Sequence, residues 1–132
     1  MIFSPRCPVF RTDEGILLEC IYWIDFITSS APNAGTIAKN EPGSISKIEA
    51  VLHERSTKRL SLAALHMCDV LVMGAWGCGV FHNDPVKMAE TFWKQLGQGQ
   101  SFWKCFRRML FAMFDRSQNQ GNYQAFAERF GL

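Results

Sequence analysis

Apolar and polar positions divide the chain into alternating strand-like and helix-like stretches. Residues 21–29, Ile-Tyr-Trp-Ile-Asp-Phe-Ile-Thr-Ser, are rich in aromatic and β-branched side chains and stop at Ala31-Pro32-Asn33-Ala34-Gly35. Residues 69–74, Asp-Val-Leu-Val-Met-Gly, form a short apolar run that ends in a glycine-rich turn. Both are more apolar than a strand with one wet face needs, which predicts a sheet covered on both sides. Residues 106–114 form a third candidate strand, again closed by polar turn residues. Nearer the N-terminus, Pro8-Val-Phe10 and Ile16-Leu-Leu-Glu19 flank Thr12-Asp-Glu-Gly15, the signature of a hairpin.

Helix signals fall between these runs. Ile48, Leu52, Leu60, Ala64 and Met67 recur at multiples of three and four with charged residues between them, and Ser44 or Ser46 stands where a cap belongs. A second helix opens at Asn83-Asp84-Pro85, with Asn83 or Asp84 as its cap and proline in the first turn, where the missing N–H costs nothing. Its apolar face is Val86, Ala89, Phe92, Trp93 and Leu96, and a third helix over residues 122–130 carries Tyr123, Phe126 and Phe130 on one stripe. Residues 35–46 read as a loop. This alternation predicts an α/β sandwich built on a largely parallel sheet, with residues 1–20 as a peripheral hairpin or arm on a single domain spanning residues 1–132.

Composition adds mainly exclusions. At 132 residues, 48% of them apolar and 20% charged, the chain can bury a core and is not of disordered type. A net charge of +2 is too small to imply DNA binding. No apolar run reaches the length of a membrane span, and the first ten residues lack a signal-peptide core, so the expected location is cytoplasmic. Five cysteines with no CxxC pair argue against a disulfide framework or a zinc site, and no cofactor or metal is expected. His53 and His66 have no metal-ligand spacing to any partner and read as surface residues, and Lys104, Arg107 and Arg108 read as a solvated face.

Chemistry concentrates where the strand at 69–74 runs through a glycine turn into the Pro85 helix. Ligands of open α/β sheets sit beyond the carboxyl ends of strands. Gly74, Gly77 and Gly79 let backbone approach a ligand closely, successive free N–H groups there can form an anion nest, and the helix start adds positive partial charge. Such a turn suits a phosphate or diphosphate; the alternative is a tight strand-to-helix connection and nothing more. No Gly-Lys-Ser/Thr follows, which excludes a Walker A loop, and the spacing is not GxGxxG. His82 is either a phosphate contact or a solvent-facing turn residue, Trp76 a core or base-stacking residue, and Asp25 a member of a buried polar network or a pocket residue.

Four segments together resemble the microbial-type poly(ADP-ribose) glycohydrolases. They are Phe3-Ser-Pro-Arg-Cys-Pro-Val-Phe-Arg11, Ile27-Thr-Ser-Ser-Ala-Pro-Asn-Ala-Gly35, Val72-Met-Gly-Ala-Trp-Gly-Cys-Gly-Val-Phe-His-Asn-Asp-Pro85 and Phe111-Ala-Met-Phe-Asp-Arg-Ser117. The likeness runs along nearly the whole chain, is weakest in residues 36–60, and covers only the C-terminal part of that family's domain. It implies a macro-domain-like three-layer α/β/α sandwich with a mixed, mostly parallel sheet, incomplete on the N-terminal side. It further implies that Gly77, Cys78, Gly79, Val80 and Phe81 wrap the diphosphate of ADP-ribose, with Phe81 near the distal ribose. Pro32, Asn33 and Ala34 would border the pocket, and Asp115 and Ser117 would lie towards the adenosine end.

The family's catalytic signature, a glycine triplet followed by Gln-Glu-Glu, has no counterpart: the chain contains neither a Gly-Gly nor a Glu-Glu pair. Glycosidic cleavage needs a carboxyl group at the leaving oxygen and usually an activated water. The resemblance therefore implies recognition of ADP-ribose or poly(ADP-ribose) without hydrolysis by this chain alone, and no catalytic residue. The alternatives are a glycohydrolase completed by a separate N-terminal piece, or a truncated paralogue without function. Sheet edges left open by missing strands would favour self-association.

Overall fold

The computed structural model describes all 132 residues. They form two compact units, Met1–Ser30 and Ala31–Leu132.

The first unit is an antiparallel hairpin of β1 (Ile2–Arg11) and β2 (Leu17–Thr28), so the strand expected at 21–29 and the hairpin expected before it are one element. Gly15 takes φ 84° in the connecting turn, where its N–H donates to the Thr12 carbonyl. Register shifts after Ser4 and Val9 mark bulges; at the first, Arg6 adopts φ 49° and its N–H donates to Asp25 Oδ1 at 2.7 Å. Asp25 is thus an exposed bulge partner rather than a member of a buried network or a pocket residue. The expectation of a sheet covered on both faces fails for this strand: Ile21, Tyr22, Trp23 and Phe26 are all about half exposed. A hairpin gives each strand a single neighbour, so apolar character in β2 does not translate into burial.

The second unit runs α1 (Ala34–Asn40), a 3-10 turn (Pro42–Lys47), α2 (Ile48–Leu65), β3 (Val70–Met73), α3 (Pro85–Leu96), β4 (Arg108–Phe111) and α4 (Gly121–Phe130). β3 and β4 pair in parallel, Val70 opposite Arg108 through Met73 opposite Phe111, with α3 between them in the chain. The architecture is mixed α/β, and the parallel sheet holds two strands. The stretch read as a loop at 35–46 is instead helical. Asn33 caps α1 by accepting the Thr36 N–H at 2.9 Å, and Pro42 opens the 3-10 turn. Neither Ser44 nor Ser46 caps α2, whose preceding residue, Lys47, is already helical.

The core lies where α2, α3 and α4 meet. Leu52, Leu60 and Ala63 of α2, Met88, Ala89, Phe92 and Leu96 of α3, and Phe126 of α4 are almost fully buried. Ser56 completes the α2 stripe because its hydroxyl is satisfied: it donates to the His53 carbonyl and accepts from Gln95 Nε2 at 2.6 Å. Met67, expected on the same stripe, lies past the helix end at φ 54° and is exposed. The β4 side chain Phe111 packs between helices, 5.9 Å from Phe92, 5.0 Å from Phe126 and 4.7 Å from Phe130 by ring centroids. Only four residues of the apolar run at 106–114 join the ladder. Phe106 enters the core instead, and Arg107 pairs with Asp69 at 2.7 Å.

Candidate functional site

β3 and β4 are parallel, so their carboxyl ends lie at the same end of the pair, where the Met73 carbonyl accepts the Ala112 N–H at 2.6 Å. A Cβ on Gly74 would stand 3.2 Å from the Ala112 carbonyl oxygen, so the two chains leave the sheet in close approach. From β3 the chain turns twice, with Trp76 N–H donating to Gly74 and Cys78 N–H to Ala75. It then runs through residues 79–82 to Asp84, which caps α3 by accepting the Val86 N–H at 2.9 Å.

The hydrogen bonding of this turn is one-sided. The Gly77 carbonyl accepts from Asn83 N–H at 3.1 Å, the Gly79 carbonyl from His82 N–H at 2.9 Å, and the Phe81 carbonyl from Gly35 N–H at 3.1 Å. No protein atom accepts from the N–H groups of Gly77, Gly79, Val80 or Phe81. Three of those four are consecutive and end next to His82, which adopts φ 53°. Val80 is 86% exposed, so the middle of this run faces open space. A row of unengaged amides just ahead of a capped helix is the arrangement that receives an anion.

The five predicted loop residues do not contribute alike. The Cys78 N–H is committed to Ala75, which removes it from the row. Its thiol is pushed up to about 12, first by burial and then by the negative charge of Asp84. A thiol that keeps its proton is a poor nucleophile. In the folded protein Cys78 should resist iodoacetamide under mildly alkaline conditions that label exposed Cys20 and Cys105, as mass spectrometry of the peptides would show. Gly77 sits at φ 76°, and a Cβ there would meet Asn83 Nδ2 at 2.5 Å and Ala31 Cβ at 2.6 Å. Gly79 is unlike it: its φ is ordinary, and a Cβ would meet nothing within 4 Å.

Among the predicted rim residues, Pro32 offers its carbonyl to Asn83 Nδ2 at 2.9 Å, Asn33 caps α1, and Ala34 begins that helix. Asp115 and Ser117 follow β4 as the 77–81 loop follows β3. Asp115 Oδ1 accepts from the Ser117 hydroxyl and N–H, and Oδ2 from the Asn122 N–H, which together hold this carboxyl below the usual carboxylate range. A cavity of about 310 Å³ adjoins the turn at His82 and Asn83 and is lined also by Ala34, Ile45, Leu52 and Lys87. None of Gly77, Cys78, Gly79, Val80 or Phe81 lines it, so the cavity and the row of free amides are separate features.

Two residues of this region were not singled out in the sequence as parts of a site. Asn83, 3% exposed, donates through Nδ2 to both Pro32 and Gly77. Its sequence signal was a surplus, since Asn83 and Asp84 are two capping residues where α3 uses one. Arg59 of α2 lies with its guanidinium 4.4 Å from the centre of the Trp76 ring, and burial holds it below the usual arginine range. No sequence signal marks that contact.

This combination of a parallel strand pair, a glycine turn and a capped helix is the macro-domain-like α/β fold of the poly(ADP-ribose) glycohydrolases. Solved structures of two bacterial members match it. The glycohydrolase of Deinococcus radiodurans in complex with ADP-ribose aligns with a TM-score of 0.89 at 38% identity, over 97% of this chain and 50% of that one. That of Thermomonospora curvata aligns with a TM-score of 0.88 at 44% identity, over 97% and 46%, and its complex with the inhibitor ADP-HPD gives the same score and identity over 97% and 48%. The chain is similar to the microbial enzymes along almost its entire length and spans about half of theirs, consistent with a C-terminal part. No protein-family model matches the sequence, and no curated protein does. No helix is long and apolar enough to cross a membrane.

Proposed function

We propose that the Ala31–Leu132 unit binds ADP-ribose, free or as an end of poly(ADP-ribose), and does not hydrolyse it unaided. The observation that carries this reading is the run of unengaged N–H groups on Gly79, Val80 and Phe81. Two linked phosphates need several donors in a row, and these three need no rearrangement to serve. Gly77 and Cys78 shape the turn rather than donate with that run. Phe81 closes the ribose side, and Pro32, Asn33 and Ala34 form the adjoining wall. Asp115 and Ser117 stand on the adenosine side, at the same end of the strand pair. The similar proteins from Deinococcus radiodurans and Thermomonospora curvata, crystallised with ADP-ribose and with ADP-HPD, support the choice of ligand.

The expectation of no hydrolysis rests on where the carboxylates stand. A general acid must reach the leaving oxygen, and the nearest carboxylate in sequence, Asp84, is held as the cap of α3. Calorimetry of the whole chain with ADP-ribose should give saturable one-to-one heat, while incubation with poly(ADP-ribose) should release no ADP-ribose. The absence of any heat would end the proposal.

A second reading is favoured by the two-stranded parallel sheet, in which Val72 of β3 is 67% exposed. A polypeptide bringing further strands and a carboxylic acid would complete a glycohydrolase. Mixing the chain with the other half of a microbial enzyme and measuring ADP-ribose release separates the two readings.

A further inference from the structure

We infer that Asn83 is a positioning residue, a clip that holds the glycine turn open for its anion; this rests on the reading of that turn as the ADP-ribose diphosphate site. The side chain of Asn83 is almost wholly buried, yet it is satisfied on one side only. Its Nδ2 donates to the Pro32 carbonyl at 2.9 Å and to the Gly77 carbonyl at 3.0 Å, while Oδ1 has no partner. A buried acceptor without a donor opposes folding, so the residue is costly as a filler of space, and what offsets it is the use of both amino hydrogens.

Those two bonds have a defined mechanical effect. Pro32 is 51 residues away in sequence and adjoins Asn33, the cap of α1; Gly77 is the pivot of the turn, at φ 76°. Asn83 also donates its backbone N–H to the same Gly77 carbonyl, so that oxygen is gripped twice by one residue. At the far end of the turn Gly35, in the first turn of α1, grips the Phe81 carbonyl. With both ends tied through carbonyls, the N–H groups of Gly79, Val80 and Phe81 are left between the ties with no acceptor in the protein. Releasing the Gly77 end lets the turn re-form around internal hydrogen bonds, and the donors are spent before a ligand arrives.

The clip makes a demand that a shape-matched carboxyl cannot meet. In Asn83→Asp the ionised side chain sets two oxygens against two carbonyls and donates nothing. Once protonated, it donates to one of them. The test uses the whole chain as wild type, Asn83→Ala and Asn83→Asp, with thermal melting, amide hydrogen exchange and ADP-ribose calorimetry. Both variants should melt cooperatively, and exchange of the two amides bonded within the turn, Cys78 and His82, should rise about tenfold, with α2 and α3 unchanged. ADP-ribose should bind Asn83→Ala about tenfold more weakly. Asn83→Asp should bind poorly at about pH 8 and recover in part at about pH 5, because its carboxyl, buried against carbonyl oxygens, is raised; the wild type should show no such recovery.

Unchanged exchange at Cys78 and His82 would overturn the clip, and so would exchange that rises equally through α2, α3 and α4. Failure of both variants to melt cooperatively would make Asn83 a core residue and overturn it as well. If the wild type binds no ADP-ribose while exchange behaves as expected, the nucleotide reading falls and the clip stands.

Discussion

Gly79→Glu should abolish ADP-ribose binding while leaving the thermal midpoint close to that of the wild type. The fold makes no use of the missing side chain at this position: the backbone is in an ordinary region, and an added Cβ meets no atom within 4 Å. An exposed substitution free of clash and strain stays within about 0.5 kcal/mol of wild type. The binding cost is of another order. A carboxylate placed beside the amide row opposes two phosphate charges, and repulsion of about 1 kcal/mol per pair at 4 Å in water, growing several-fold near protein, gives a loss of about 100-fold or more. Gly79→Ala separates bulk from charge and should bind more weakly than wild type but measurably. Calorimetry alongside a thermal melt decides the matter. Binding by Gly79→Glu within a few-fold of wild type would mean that the phosphates lie elsewhere.

Gly77→Ala should do the reverse and act through stability. Its φ of 76° belongs to the region that side chains avoid, and the new methyl would stand 2.5 Å from Asn83 Nδ2 and 2.6 Å from Ala31 Cβ. Neither neighbour can give way cheaply, because Asn83 is buried and tied to two carbonyls and Ala31 is buried. Left-handed strain of about 1–2 kcal/mol and overpacking of about 1–3 kcal/mol together give about 3 kcal/mol. For a chain of this size that corresponds to a fall of about 10 °C in the thermal midpoint. Gly99→Ala is the control: Gly99 has a similar φ of 78° but open space around it, so only strain is added, and the fall should be about half as large. Equal losses at the two positions would show that the contact with Asn83 contributes nothing.

The two glycines also show what was legible in the sequence. Glycine spacing after an apolar run, followed by Asn-Asp-Pro, locates the turn, β3 and the start of α3, because each signal acts within a few residues. The division of labour between Gly77 and Gly79 was not legible, since it depends on Ala31 and Pro32, brought alongside from about 45 residues away. α1 was missed for a related reason: Asn33 follows an apolar run and reads as a strand end, yet its side chain accepts the Thr36 N–H and starts a helix. The 106–114 run was overread because apolar character does not separate a ladder residue such as Leu110 from a core residue such as Phe106. In β2 the same ambiguity produced an expectation of burial that a two-stranded hairpin cannot meet. On α2, Ser56 broke the apolar stripe in sequence but not in space, because Gln95 of α3 supplies its partner.

Cys78 lies at the centre of the glycine turn with its proton held firmly. Peroxide and disulfide exchange act on thiolates. A cysteine in a glycine turn would ordinarily be open to oxidation, and here burial keeps its thiol protonated. The nucleotide binding proposed for this turn should therefore persist through oxidative stress that modifies exposed Cys20 and Cys105.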